Sequence, residues 1–237
     1  MNDVSGENRA GRVFAPRKPG NGRAAGELSA GSAKAGWRAP AGLIALSAVP
    51  MVAGALRLGE LAGGAEVTAD NARFFAQPLP IVAHIFGVSV YCVLGAFQFA
   101  PGLRRRRPGW HRVAGRLLVP SGLVAALTGL WMSLFYDLPA HDGELLLVFR
   151  LVFGVAMAVA LVLGFAAIRR RDVARHRAWM IRAYAIGSAA GTQVLTNVPW
   201  MLFFGMPGET PRAWLVGAGW VINLAVAERV IRARPGS

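Results

Sequence analysis

Residues 146–168 read LLVFRLVFGVAMAVALVLGFAAI, an apolar run in which Arg150 is the only charged residue. About 20 apolar residues is the length that an α-helix needs to cross the hydrocarbon core of a bilayer. A helix of a soluble protein would instead place polar residues along one of its faces. The run therefore predicts a transmembrane helix, and we expect Arg150 to form a local ion pair with Glu144 at its start.

Five further apolar runs lie along the chain, which has 237 residues, 54% of them hydrophobic. Barrel strands are excluded as an explanation, because they would be shorter and would alternate apolar and polar residues. The spans are predicted at residues 41–61, 79–100, 112–135, 146–168, 179–203 and 212–231. We therefore predict an all-α, polytopic membrane helix bundle of about six transmembrane helices.

The basic residues are distributed unequally among the segments that connect these spans. Arginines cluster at residues 104–107 and 169–177, and further basic residues occupy both ends of the chain. The opposite connections carry most of the acidic residues, and their arginines are Arg57, Arg73, Arg150 and Arg212. Because cytoplasmic loops are enriched in arginine and lysine, both termini are predicted to lie on the cytoplasmic side. The expected location is the bacterial plasma (inner) membrane, with several passes.

The first 38 residues differ in composition from the remainder. They are rich in Gly, Ala and Ser, with scattered basic residues, and cannot bury a core. Residues 1–38 are therefore predicted to be a disordered, basic cytoplasmic tail, and residues 39–237 a six-helix transmembrane domain. No cleavable signal is predicted, because the first apolar run begins far from the first residue.

The formal net charge is +14, a balance that in a soluble protein would point to nucleic acid. Here the arginines flank apolar runs, where they anchor helices and face anionic lipid. We therefore expect membrane lipids, including anionic head groups, as partners, and no nucleic acid. The sequence has no phosphate-binding loop, zinc-protease motif or nucleophile elbow, so no catalytic constellation indicates an enzyme.

His84 begins a polar stripe along the predicted second span. Tyr91 and Gln98 follow at intervals of two helical turns, so the three side chains share one helix face. Such a stripe either packs against a neighbouring helix or lines a cavity. A cavity lined by His84, Tyr91 and Gln98 would suit a small-solute transporter.

Two His-Arg pairs lie at the cytoplasmic starts of the predicted third and fifth spans, each followed within one or two turns by a further arginine. Such residues can anchor a helix among lipid head groups. They can also bind a phosphate or carboxylate at a helix N-terminus. The predicted anion- or lipid-binding residues are His111, Arg112, Arg116, His176, Arg177 and Arg182.

The histidines also allow a b-type haem for transmembrane electron transfer, since imidazoles from two helices can supply both axial ligands. The candidate ligands are His84, His111 and His176. His84 is predicted near the membrane face opposite to the other two. A single haem would therefore need His111 together with His176.

These motifs resemble those of a bacterial membrane family catalogued as domain of unknown function 2306. The residues that carry the resemblance are His84, Gln98-Phe99, His111-Arg112-x-x-Gly115-Arg116 and His176-Arg177-x-Trp179-Met180-Ile181-Arg182-x-Tyr184-Ala185. The resemblance covers about residues 80–200 and implies a multi-helix membrane protein. It implies no particular activity, so the biochemical role stays unassigned, with anion binding, haem-based electron transfer and transport as alternatives.

Overall fold

The computed structural model describes residues 22–139 and 141–233, with side chains from residue 37 onward. Within these residues the regular structure is entirely helical, as predicted. The helices are α1 (Gly22–Gly63), α2 (Ala72–Ala76), α3 (Pro78–Gln98), α4 (Pro101–Arg106), α5 (Pro108–Phe135), α6 (Glu144–Arg169), α7 (Val173–Gly187), α8 (Ala189–Phe204) and α9 (Glu209–Arg232).

Five of these helices are long and apolar enough to cross a membrane. They are residues Trp37–Gly63 of α1, and α3, α5, α6 and α9. The most apolar is α6, with a mean hydropathy of 2.7, which contains the run that decided the fold class. The predicted all-α membrane helix bundle is therefore confirmed.

The starts of several helices follow from local sequence. Proline occupies the first position of α3, α4 and α5, as Pro78, Pro101 and Pro108. The backbone N–H that proline lacks would have no partner within the helix at this position, and the fixed φ of proline is close to the helical value. The carboxylate of Asp172 caps α7 by accepting a hydrogen bond from the backbone N–H of Arg175 at 2.9 Å.

The predicted fifth span, residues 179–203, is not one continuous helix, and this prediction is corrected. It is divided at Ser188 into α7 and α8. The Ser188 hydroxyl donates to the carbonyl of Tyr184 at 2.8 Å, a side-chain bond that competes with the helical ladder. The preceding Gly187 also weakens helix formation at this point.

Side chains from α8 and α9 satisfy polar groups beside this break. The amide of Asn223 in α9 donates to the carbonyl of Ala185 at 2.9 Å. The Asn223 carbonyl oxygen accepts from the Thr192 hydroxyl at 2.7 Å. A broken helix is tolerated in a membrane where neighbouring helices pair its backbone in this way. Asn223 thus joins α9 to both halves of the interrupted span.

Two tyrosine rings fill the centre of the bundle. Tyr91 of α3 has 1% of its surface exposed and packs against Gly122 of α5. Tyr184 of α7 packs against Gly95 of α3, and its hydroxyl donates to the carbonyl of Cys92 at 2.9 Å. Any side chain on either glycine would collide with a ring. The helices therefore approach closely at glycine, and aromatic rings occupy the space between them.

An ion triad ties α6 and α9 together at one end of the bundle. The Asp142 carboxylate, which is 0% exposed, accepts hydrogen bonds from Arg150 of α6 and Arg212 of α9, each at 2.5 Å. The predicted pair of Arg150 with Glu144 does not form among the described residues. Residues six apart on a helix lie on different faces, whereas pairing needs a spacing of three or four.

Contacts at the other end bring together the arginine-bearing segments. Arg182 of α7 pairs with Glu228 of α9, and Phe97 of α3 packs on Trp110 of α5 with ring centres 6.2 Å apart. We call this end the Arg-rich end. It holds the C-termini of α3, α6 and α9 and the N-termini of α4, α5 and α7.

Parts of the sequence-based scheme fall outside the described residues. The helix α1 already begins at Gly22, within the segment for which disorder was predicted. Residues 1–21, with four of the seven basic residues of the tail, and Arg234 near the C-terminus lie outside the described part of the chain.

Candidate functional site

His111 lies in the first turns of α5 at the Arg-rich end, with its ring partly covered by neighbouring helices. Its Nδ1 atom is buried and has no hydrogen-bond partner among the described residues. Arg104 of α4 and His176 of α7 lie close enough to His111 to interact with it electrostatically. Helices α4 and α7 therefore each bring a basic side chain near this imidazole of α5, whose Nδ1 has no partner in the described part of the chain.

Gln98, the last residue of α3, lies at the same level as His111. The neighbouring side chains Phe97 and Trp110 are in contact, which fixes the register of the two antiparallel helices. The Nε2 atom of Gln98 is buried and also has no partner in the described structure. The sequence assigned Gln98 to the stripe that starts at His84 and to the motif Gln98-Phe99 of the family resemblance, not to the predicted anion-binding residues. Its position beside His111 depends on helix register, which composition does not reveal.

His176 is held by the helix before it in the sequence. Its Nδ1 bonds to the carbonyl of Gly164 in α6 at 2.8 Å. A carbonyl can only accept, so Nδ1 carries the proton in the neutral ring and Nε2 keeps its lone pair. The ring of His176 therefore has a fixed orientation, with one nitrogen left for another partner.

Two of the predicted basic residues make contacts between α7 and α9. Arg182 donates to both carboxylate oxygens of Glu228, at 2.6 and 3.1 Å, and lies over the ring of Trp179 at 5.0 Å. Arg177 donates to the carbonyl of Val230, in the last turn of α9, at 3.1 Å. These guanidinium groups hold the C-terminal part of α9 against α7.

Arg112 and Arg116 have a different environment. Both are exposed, and the structure gives neither a hydrogen bond nor an ion pair within residues 37–139 and 141–233. Beside them on α5 lie Val113 and Leu117, with exposed fractions of 56% and 52%. The two guanidinium groups thus lie next to an apolar surface that the rest of the described chain does not cover.

His84 lies far from this cluster. Its Nδ1 bonds to the carbonyl of Ala125 at 2.9 Å and lies 3.2 Å from the Thr128 hydroxyl, both on α5. Ala125 is about 21 Å along α5 from His111, at 1.5 Å per residue. His84 and His111 therefore cannot ligate the same haem. The predicted stripe of His84, Tyr91 and Gln98 faces neighbouring helices along this whole length.

Comparison with known proteins gives a family but no characterised relative. No curated protein and no solved structure matches the chain. The model of a family described as "Predicted membrane protein (DUF2306)" matches residues 81–231. The matched residues include both His-Arg motifs. They also include Val230 and Glu228 of α9, which Arg177 and Arg182 contact. The chain therefore belongs to this family of membrane proteins, DUF2306.

Proposed function

We propose that this integral membrane protein binds an anionic group at its Arg-rich end, and that anionic lipid head groups supply it. The observation that carries the proposal is the environment of Arg112 and Arg116. Both are exposed and unpaired within the described chain, and both lie beside the uncovered apolar surface of Val113 and Leu117. A phospholipid matches this arrangement, with its phosphate at the guanidinium groups and its acyl chains along α5.

Electrostatics supports a lipid phosphate at this position. Arginine presents a planar fork of donors that fits phosphate oxygens, and each arginine near an anionic membrane surface contributes about 1 kcal/mol to binding. The excess of arginine at this end also supports a cytoplasmic placement in a bacterial plasma membrane. In that orientation Arg112 and Arg116 lie at the depth of the inner-leaflet phosphates.

The test is a comparison of two double variants in lipid binding. Replacing Arg112 and Arg116 by Gln is expected to weaken phosphatidylglycerol binding about 10- to 30-fold, because two such contacts are lost. The matched control replaces Arg169 and Arg170 by Gln, which removes the same charge from two exposed residues at the C-terminal end of α6. Apparent Kd values come from native mass spectrometry of the detergent-purified protein.

The control should bind phosphatidylglycerol nearly as the unmodified protein does, and phosphatidylcholine binding should change in neither variant. An equal loss in both double variants would show only a general effect of net charge. An unchanged Kd in the Arg112 and Arg116 variant would remove the proposal.

A second candidate function is b-type haem binding by His111 and His176. The observation that favours it is the bond between Nδ1 of His176 and the carbonyl of Gly164, since histidines that ligate metals usually donate their other N–H in this way. His111, within electrostatic range, would supply the second imidazole. Both histidines lie on helices at the Arg-rich end.

Absorption spectroscopy tests the haem proposal directly. Protein purified from cells supplied with haem should show a Soret band that shifts on reduction with dithionite. His111→Ala and His176→Ala should each abolish this band, whereas His84→Ala should keep it, because His84 lies about 21 Å away along α5. A flat visible spectrum from folded protein would exclude haem binding.

A further inference from the structure

Two polar nitrogens in the seam between α3 and α5 have no hydrogen-bond partner among residues 37–139 and 141–233. They are Nε2 of Gln98 and Nδ1 of His111, and both are buried. The amide nitrogen can only donate, and the imidazole nitrogen donates when it carries the proton. A buried donor without an acceptor is costly, because it gave up its hydrogen bonds to water when the chain folded.

The two nitrogens lie at the same depth. Gly87 of α3 lies against the backbone of Ser121 and Ala125 in α5, which sets the antiparallel register of the seam. The same register brings Gln98, three turns after Gly87, to the level of His111. Gln98 lies two turns after the buried Tyr91 on α3, and His111 lies two turns before the buried Leu118 on α5. Residues two turns apart share a helix face, so both side chains lie on the faces that α3 and α5 turn toward each other.

A positive charge acts on His111. Arg104 of α4 and His176 of α7 are within electrostatic range of His111, and no acidic side chain acts on it from α3, α4, α5 or α7 among the described residues. When Nδ1 of His111 carries the proton, both nitrogens are donors, and the guanidinium of Arg104 favours an acceptor with negative charge. Oxygen atoms of a small anion would meet both requirements.

We propose that Gln98 and His111 form a site for an oxyanion, a phosphoryl or carboxylate group, between α3 and α5, with Arg104 balancing its charge. One ligand oxygen accepts from the Gln98 amide and another from the His111 imidazole. This site differs from the lipid-facing pair of arginines. At 100° per residue, Arg112 and Arg116 are rotated about 100° and 140° around α5 from His111.

Thermal unfolding in nanodiscs of phosphatidylcholine tests the proposal. Sodium phosphate or sodium acetate, compared with sodium chloride at equal ionic strength, should raise the Tm by about 2–4 °C, because a bound ligand stabilises the folded state. In Gln98→Leu this rise should disappear. In chloride, the same variant should unfold at or above the Tm of the unmodified protein, because an unpaired donor has been removed.

Gln193→Leu is the matched control. Gln193 donates to the carbonyl of Val216 at 3.3 Å in the contact between α8 and α9. Its replacement should lower the Tm in chloride and leave the rise in phosphate unchanged. His111→Phe gives a second variant at the site, with similar volume and no donor, and it should also lose the rise.

The proposal fails if phosphate and acetate stabilise the unmodified protein no more than chloride does. It also fails if Gln98→Leu and His111→Phe keep the rise, since the anion would then bind elsewhere. The ligand could be a lipid head group or a free anion, and nanodiscs with phosphatidylglycerol distinguish the two. If phosphate no longer raises the Tm in these nanodiscs, the site binds the lipid head group. If phosphate still raises the Tm, the site binds the free anion. The response should also persist when Arg112 and Arg116 are replaced by Gln, so the two proposals fail independently.

Discussion

Asp142→Asn is expected to lower the free energy of unfolding by about 3 kcal/mol, the cost of removing one partner from a buried ion pair. The Asp142 carboxylate is 0% exposed and accepts from Arg150 and Arg212 at 2.5 Å each. An asparagine at this position has almost the same shape but no charge. Two guanidinium groups, each 29% exposed, would then lie side by side without a counter-charge.

Asp137→Asn provides the control for this prediction. Asp137 lies in the same connection between α5 and α6, but it is exposed and makes no ion pair within the described residues. Its replacement should change the unfolding free energy by less than about 0.5 kcal/mol. The measurement is reversible unfolding in mixed micelles, followed by circular dichroism. Equal stabilities for the two variants would mean that the triad contributes nothing to holding α6 against α9.

The triad also shows what the sequence could and could not predict. Arg150 was recognisable as a charged residue at the start of an apolar helix, which must find a counter-charge. Its partner is not the acidic residue nearest on the helix but Asp142, and the second arginine comes from Arg212 on α9. A pairing between residues so far apart along the chain depends on how helices pack, and hydropathy carries no such information.

The helices themselves were predictable because membrane thickness sets their length. The runs that became α3, α5, α6 and α9 were located to within a few residues. The break at Ser188 was not predicted, since glycine and serine are common in continuous membrane helices, where they serve close packing. What makes the break tolerable is the amide of Asn223, a residue of a different helix.

The candidate site was predicted in part. The sequence identified His111 and His176 as a pair at the ends of two helices, and the structure places them within electrostatic range of each other. It could not show that Arg182 pairs with Glu228, or that Phe97 contacts Trp110 and so brings Gln98 to the level of His111. Both facts follow from helix register, which is fixed by glycines and rings in the bundle core.

Gly191→Ala is the second substitution with a large expected effect, a loss of about 2–3 kcal/mol in the free energy of unfolding. Gly191 lies near the start of α8, where α1 crosses it. A Cβ at this position would collide with the backbone oxygen of Leu46 and lie 2.7 Å from its carbonyl carbon. Backbone atoms cannot rotate away as a side chain can, so α1 as a whole would have to move.

Gly42→Ala is the matched control on α1, because a Cβ there meets no atom within 4 Å. Alanine has the higher helix propensity, so this variant should gain up to about 1 kcal/mol, a change of opposite sign. The same unfolding assay compares both variants. A neutral Gly191→Ala would mean that α1 does not dock against α8 through this contact. The comparison therefore measures how firmly α1, which lies outside the family match at residues 81–231, is bound to α8, which lies within it.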